Sequence, residues 1–326
     1  MTQRRSMVEV KIPTVALALE HNRNKLAAGA RTGEVLRVRR GAYCAPDEIH
    51  VDGPSRAARE ARKKALARAR ALHSQLRAKH VFSHASAALL LGCLVWTTPR
   101  ETHVYQRYRA SGHAAGDVRR YTWTLVPDDI VEAAGLPVTS LARTVVDCAR
   151  TLHPLEALVI ADSALGLGAE REELLATLDA QTGRRGTQRA RLVIELADSG
   201  PQSAWETWVR YELLRAGLPR PTTQMPVETD AGRFHTDLGY EQWALGIEFD
   251  GQVKYRPDGV RPGHDPAQEY LAEKARADAI RRAGVSLENV SASDKQDVQA
   301  MLDRITAHIP PDVLRKARID PRLPAI

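Results

Sequence analysis

The sequence predicts an α/β chain of several domains that begins with a winged helix-turn-helix. Three observations carry that expectation. At 326 residues the chain is longer than one ordinary core accommodates. Its apolar residues are mostly Ala, Leu and Val, with only 3 Phe, a composition suited to helices packed around modest sheets. Stretches of helical character also alternate with short runs of period two.

Charge sharpens the first element. Residues 1–80 hold 18 Lys+Arg against 7 Asp+Glu, a net of +11, whereas the rest hold 29 against 33, a net of −4. Basicity confined to one end is what a polyanion-binding module joined to near-neutral domains shows, although a solvated basic helix shows it too. Within residues 1–53, Pro13 to Glu20 reads as a short helix, with Pro13 in its first turn. A polar break at His21-Asn22 leads into a second helix from Arg23 to Thr32, which Gly33 ends. Glu34 to Arg40 then alternates Val/Leu with Arg, Gly41 turns the chain, and Ala42-Tyr43-Cys44 returns as a strand. In a winged helix the second helix enters the major groove and the wing reaches phosphate or the minor groove. The expected DNA contacts are therefore Arg23, Lys25 and Arg31 on that helix and Arg37, Arg39 and Arg40 on the wing.

Residues 54–80 have high helix propensity and form one basic helix that either connects domains or lies along DNA. Residues 81–182 make an α/β middle domain, with a strand-like run from Arg119 to Val126. The scattered histidines His80, His84, His103 and His113 read as core or surface residues without a ligand role. The turn at Gly183 to Gly186 marks a boundary, a helix follows over 187–198, and a last domain covers 186–326. There Ser203 opens a helix that Gly217-Leu218-Pro219 stops. A strand-like Gln224 to Val227 precedes two further strands, Arg233 to Tyr240 and Trp243 to Asp250.

If Glu241-Gln242 is the loop between those two strands, Tyr240 pairs with Trp243 and Asp237 lies opposite Gly246. Asp237, Glu248 and Asp250 then share one face, while Ile247 and Phe249 point to the other. Three adjacent carboxylates repel one another unless a cation neutralises them, and an all-oxygen set suits Mg²⁺. Mg²⁺ is thus the expected metal and cofactor, and it activates water for phosphodiester cleavage. Glu206, three residues after Ser203, has the spacing of a capping box. Lys274 and Arg276 read as salt-bridge partners of the carboxylates.

Several classes are excluded. No apolar run reaches the ~20 residues of a membrane span, and the N-terminus lacks a secretory pattern, so a cytoplasmic protein without membrane partners is expected. Cys44, Cys93 and Cys148 are far apart, without zinc-ligand spacing, and read as small buried residues. No phosphate-cradling Gly loop, HExxH or GxSxG motif occurs.

Two resemblances extend this reading. The run GEVLRVRRGAYCAP resembles the wing of AbiEi-type antitoxins, the DNA-binding halves of type IV toxin–antitoxin systems. His84-Ala85-Ser86-Ala87-Ala88 and the stretch from Leu136 to Asp147 are similar to landmarks of that antitoxin's second domain, so the likeness covers roughly residues 10–165. It implies double-stranded DNA as a partner, transcriptional regulation, and a nucleotidyltransferase-type toxin as the cognate protein. Gly29 and Ala30 depart from it by leaving fewer base-reading side chains in the second helix. Over roughly 186–295, SAWE, FHTDLGY, GIEFDGQVKY and EKARADAIRRAG resemble actinobacterial domains related to very-short-patch-repair nucleases, of the PD-(D/E)XK restriction-endonuclease superfamily. This implies an α/β domain with a mixed sheet flanked by helices. It also implies Asp237 and Glu248 as metal-binding carboxylates, assisted by Asp250 and Glu206. The superfamily's ExK lysine is replaced by Asp250, which leaves Lys254, Lys274 or Arg276 to supply the cation. The strand expected at Val285 to Val290 is weak in aromatic and β-branched residues. Two functions follow: an antitoxin-like transcriptional regulator with a degenerate nuclease-like domain, or a Mg²⁺-dependent DNA endonuclease targeted by its winged helix.

Overall fold

A computed structural model describes residues 10–46, 54–107, 116–181, 183–250 and 266–326. The chain is an α/β protein whose described strands form three sheets, and it divides into two units, Gln3–Glu195 and Leu196–Ile326.

The first unit opens on β1 (Ala16–Leu17), α1 (Arg23–Thr32), β2 (Leu36–Arg39) and β3 (Ala42–Cys44), with sheet order β1-β3-β2. The helix expected over 13–20 is not formed. Ala16 and Leu17 pair antiparallel with Tyr43 and Ala42 instead. Leu17 is buried with Val38, Ala42 and Cys44, whereas Leu19 is exposed, so this segment does not present a helix's apolar stripe. Pairing with β3 wins over a weak local helix propensity. α1 does form, because Asn22 Oδ1 accepts from the backbone N–H groups of Asn24 and Lys25 at 3.0 and 3.1 Å. Gly33, at φ +83°, closes it in the left-handed conformation.

α2 (Pro54–Gln75) serves two cores. Ala67 and Ala71 pack under the small sheet with Leu17 and Val38. Ala65, Leu66, Ala69 and Leu72 pack into a second core with Phe82, Leu89, Leu90 and Val104. It is therefore neither a bare connector nor a free basic rod. Several of its cations serve backbone carbonyls: Arg62 donates to Cys93 O at 3.2 Å, Arg70 to Ala134 O at 2.8 Å, and Lys63 to Pro46 O at 2.8 Å.

The second core lies against a five-stranded mixed sheet of β4 (His80–Phe82), β5 (Thr102–Gln106), β6 (Val118–Thr122), β7 (Ile130–Ala133) and β8 (Leu136–Thr139), ordered β6-β5-β4-β8-β7. Between β4 and β5 lies α3 (His84–Leu90), and after β8 come α4 (Leu141–Thr151), α5 (Pro154–Gly166), α6 (Arg171–Asp179) and α7 (Thr187–Leu196). One buried guanidinium pins this unit. Arg143 on α4 donates to Asp147 at 3.1 Å, to Asp129 at 2.8 Å and to the Tyr105 hydroxyl at 3.0 Å. The division between units falls at Glu195, beyond the turn at 183–186. α7 belongs mostly to the first unit because Arg150 of α4 donates to Arg185 O and Arg191 of α7 pairs with Asp179 of α6.

The second unit holds α8 (Ala204–Arg215), β9 (Thr222–Thr229), β10 (Gly232–Tyr240), β11 (Leu245–Asp250), α9 (Pro266–Arg282), β12 (Ser286–Ser291), α10 (Val298–Thr306) and α11 (Pro311–Leu314). Its sheet runs β12-β11-β10-β9, with β11 and β12 parallel and the other pairs antiparallel. Among the described residues no helix is long and apolar enough to cross a membrane.

Candidate functional site

Two places gather the side chains that the sequence singles out, one in each unit. In the first unit, α1 buries only Gly29, where Val35 N donates to Gly29 O at 3.3 Å. Arg23, Lys25 and Arg31 are all exposed, as are Arg37 on β2 and Arg40 in the turn after it. Arg39 is not. The β2–β3 register shifts between Arg37 and Arg39, so simple alternation fails there. Arg39 reaches Asp117 instead, Nε to Oδ2 at 3.2 Å, with its side chain 8% exposed. Burial pulls its pKa down, and the Asp117 carboxylate partly restores it. Arg39 is a structural ion-pair partner; no local pattern points to Asp117, which lies 78 positions away.

In the second unit the register differs from the sequence count. Tyr240 pairs with Leu245 and Leu238 with Ile247, because the connection is a short 3₁₀ turn over Glu241–Trp243 plus Ala244 in the left-handed region. Continued by one step, this sets Asp237 opposite Glu248. A shift of two residues leaves every side chain on its expected face, so the grouping of the carboxylates survives. Asp237, Glu248 and Asp250 line one cavity of about 490 Å³ with Lys274, Arg276 and Asn289. Phe249, pleated the other way, stacks its ring on Trp205 of α8 at 5.1 Å. Glu206 is not among the lining side chains. It takes the N–H of Gln202 at 2.7 Å while its own N–H donates to Ser203 Oγ at 3.1 Å, so Ser203 caps the helix and Glu206 reaches back to the residue before that cap. Lys254 lies outside the described residues.

Electrostatics in this cavity centre on Arg276. Its guanidinium bridges both oxygens of Glu248, at 2.5 and 3.1 Å, and also donates to Glu273 at 2.7 Å and to His235 O at 2.7 Å. Burial opposes its charge, but the two carboxylates outweigh burial and hold its pKa above the usual range. Asp237 Oδ2 accepts the N–H of Phe249 at 2.8 Å. Among the described residues no three His, Cys, Asp or Glu side chains are placed to hold a metal ion. A guanidinium stands where the cation would, so these residues as arranged do not fit Mg²⁺. Sequence reasoning reaches Arg276 as a salt-bridge partner and misses Glu273 and Asn289, which a register count on β10 and β11 does not touch.

No family model matches this chain. Two curated proteins of Mycobacterium tuberculosis are similar to it: the uncharacterised protein MT2308 of strain CDC 1551 / Oshkosh and the uncharacterised protein Rv2248 of strain H37Rv. Each is 27% identical over 179 residues, which is 54% of this chain, and the chain spans 63% of the length of either relative. Among solved structures, the crystal structure of RV2827C protein from Mycobacterium tuberculosis aligns over 56% of this chain and 72% of that one, at 17% identity and a TM-score of 0.34.

Proposed function

We propose that this chain is a DNA-binding protein, an antitoxin-like transcriptional regulator, that grips duplex DNA with α1 and the β2–β3 hairpin as a winged-helix module. One observation carries the reading: α1 presents three cations and buries only one of its residues, Gly29. A ten-residue helix so little buried is marginal in water, and a nucleic-acid groove supplies the missing partner surface. Arg37 and Arg40, exposed beside it in sequence, supply phosphate contacts. The second unit is a nuclease-like scaffold whose Glu248 carboxylate is neutralised from within by Arg276. A nucleotidyltransferase-type toxin is the partner this reading implies.

Footprinting of the full chain on the DNA upstream of its own gene tests the proposal, together with affinity measured against salt. A discrete protected site is expected. Replacing Arg37 and Arg40 by Ala should flatten the log–log salt slope by about 0.9 for each phosphate that the pair neutralises. An unchanged slope sinks the hairpin assignment, and sequence-blind protection sinks the regulator. Divalent-dependent cleavage of duplex DNA by the same sample would favour the Mg²⁺-dependent endonuclease instead.

A further inference from the structure

A second cavity, of about 370 Å³, lies in the first unit. It falls at the small end of the roughly 300–1,000 Å³ typical of small-molecule pockets. One wall consists of hydrogen-bond donors. His103 and Arg119 are register partners on the neighbouring parallel strands β5 and β6, so their side chains share a face. Another wall is α5, which contributes Glu156 and, one turn on, Ile160. The segment between α3 and β5 completes the lining with Trp96, Arg100 and Glu101. Among the described residues, none of Arg100, Glu101, Arg119 and Glu156 makes an ion pair or a side-chain hydrogen bond. Charges of both signs thus line one small space without neutralising each other.

The ring of His103 is held in a set orientation. Its Nδ1 lies 3.2 Å from the Tyr121 hydroxyl, and the Tyr121 ring stacks on His84 with centroids 3.8 Å apart. His84 sits at φ +51°, a left-handed conformation that costs a non-glycine residue energy, and its Nδ1 is 3.0 Å from Ser83 Oγ. Burial lowers His103 to about 4 and raises Tyr121 to about 12, so at neutral pH the imidazole is uncharged and the phenol keeps its proton. Tyr121 and Nδ1 share one hydrogen bond, whose direction follows the imidazole tautomer. In the tautomer that carries its proton on Nε2, Tyr121 donates to Nδ1 and His103 is a neutral donor.

We propose that this cavity binds a free α-amino acid with an apolar side chain. Its carboxylate is received by Arg119, Arg100 and His103, its ammonium by Glu156 and Glu101, and its side chain by Trp96 and Ile160. A purely anionic ligand leaves the two glutamates facing like charge, and a purely cationic one does the same to the arginines. A zwitterion with an apolar body satisfies both and matches the mixed lining. The site is independent of the DNA-binding reading, because it is measured without DNA.

Titration calorimetry of the full chain with L-leucine, L-isoleucine, L-valine, L-methionine and L-phenylalanine in turn tests this. At least one should bind saturably. The same molecule without its amino group, or without its carboxylate, should bind roughly tenfold more weakly or worse. Arg119→Gln and Glu156→Gln, at an exposed and a half-buried position, should each weaken binding by a similar factor while the thermal midpoint without ligand stays unchanged. The proposal is overturned if none of the five binds. It is also overturned if the molecule lacking its amino group binds as tightly as the amino acid, or if neither substitution changes the affinity.

Discussion

Arg39 and His103 are each fixed by one partner: Arg39 by the Asp117 carboxylate and His103 by the Tyr121 hydroxyl. Alternation over Leu36 to Arg39 correctly turns Val38 inward, yet it does not foresee the register shift that carries Arg39 to Asp117. Long-range ion pairs leave no periodic trace, and the partner here is on the far side of α2 in sequence. The histidines are scattered along the chain, and each alone is unremarkable. Folding brings His84, His103, Tyr105 and Tyr121 into one ring cluster, a grouping set by strand register rather than by spacing along the chain. Burial of His103 has a pH consequence. Its folded pKa, about 4, lies below the unfolded value of 6.5, so the stability it contributes is complete above the unfolded value. That stability is lost as pH falls through the window from 6.5 to 4, because the unfolded chain takes up the proton first. The full effect is about 3 kcal/mol, and His84, shifted the same way by burial, adds to it. Urea unfolding at pH 7 and pH 5 should show the loss, and His103→Gln should remove part of the slope; an unchanged slope would mean that the ring titrates normally.

At the scale of elements, legibility follows how much local information each segment holds. α1 is readable from its asparagine cap and Gly33, and α8 from Ser203 and Gly217. β1 is not, because its two paired residues depend on β3, more than twenty positions later. The β10–β11 hairpin differs from its sequence count in loop length but not in face, since the 3₁₀ turn adds two residues, a whole period of the strand. The placement of α9 over that face has no local signal either; Ile280 packs with Met225 and Val227, and Arg276 bridges from the helix to Glu248 and His235 O. That link makes opposite predictions for a salt bridge and for a metal site. Glu248 and Arg276 side chains are 15% and 24% exposed, so the pair is largely desolvated. Glu248→Gln removes half of it and should destabilise the full chain by about 1–2 kcal/mol in metal-free buffer. The parent should give no saturable heat with Mg²⁺. In a cluster of mutually repelling carboxylates the same substitution would leave stability unchanged or raised and abolish Mg²⁺ binding. Chemical denaturation and calorimetry on the two proteins separate the cases, and Mg²⁺ binding lost in Glu248→Gln would restore the metal reading.

For the whole molecule, the charge asymmetry and the division of the fold do not coincide. The basic stretch ends near residue 80, but the first unit runs to Glu195. α2 accounts for the difference. Its inward residues are shared between the small sheet and the core of Phe82, Leu89, Leu90 and Val104, and several of its cations serve carbonyls of the same unit. A chain cut after residue 80 therefore strips α2 of its second core and leaves Leu66 and Leu72 uncovered. Each loses roughly 1.5–3 kcal/mol of burial, too much for a module whose other core is a handful of small side chains. A chain cut after Glu195 keeps both cores. Residues 1–195 should unfold cooperatively and bind duplex DNA with the full chain's affinity and salt slope, whereas residues 1–80 should show neither a cooperative transition nor that affinity. Circular dichroism melts and salt-dependent binding on the three proteins check this. If residues 1–195 fold but bind with a markedly flatter slope than the full chain, phosphate contacts lie in Leu196–Ile326, and the assignment of DNA binding to α1 and the hairpin fails.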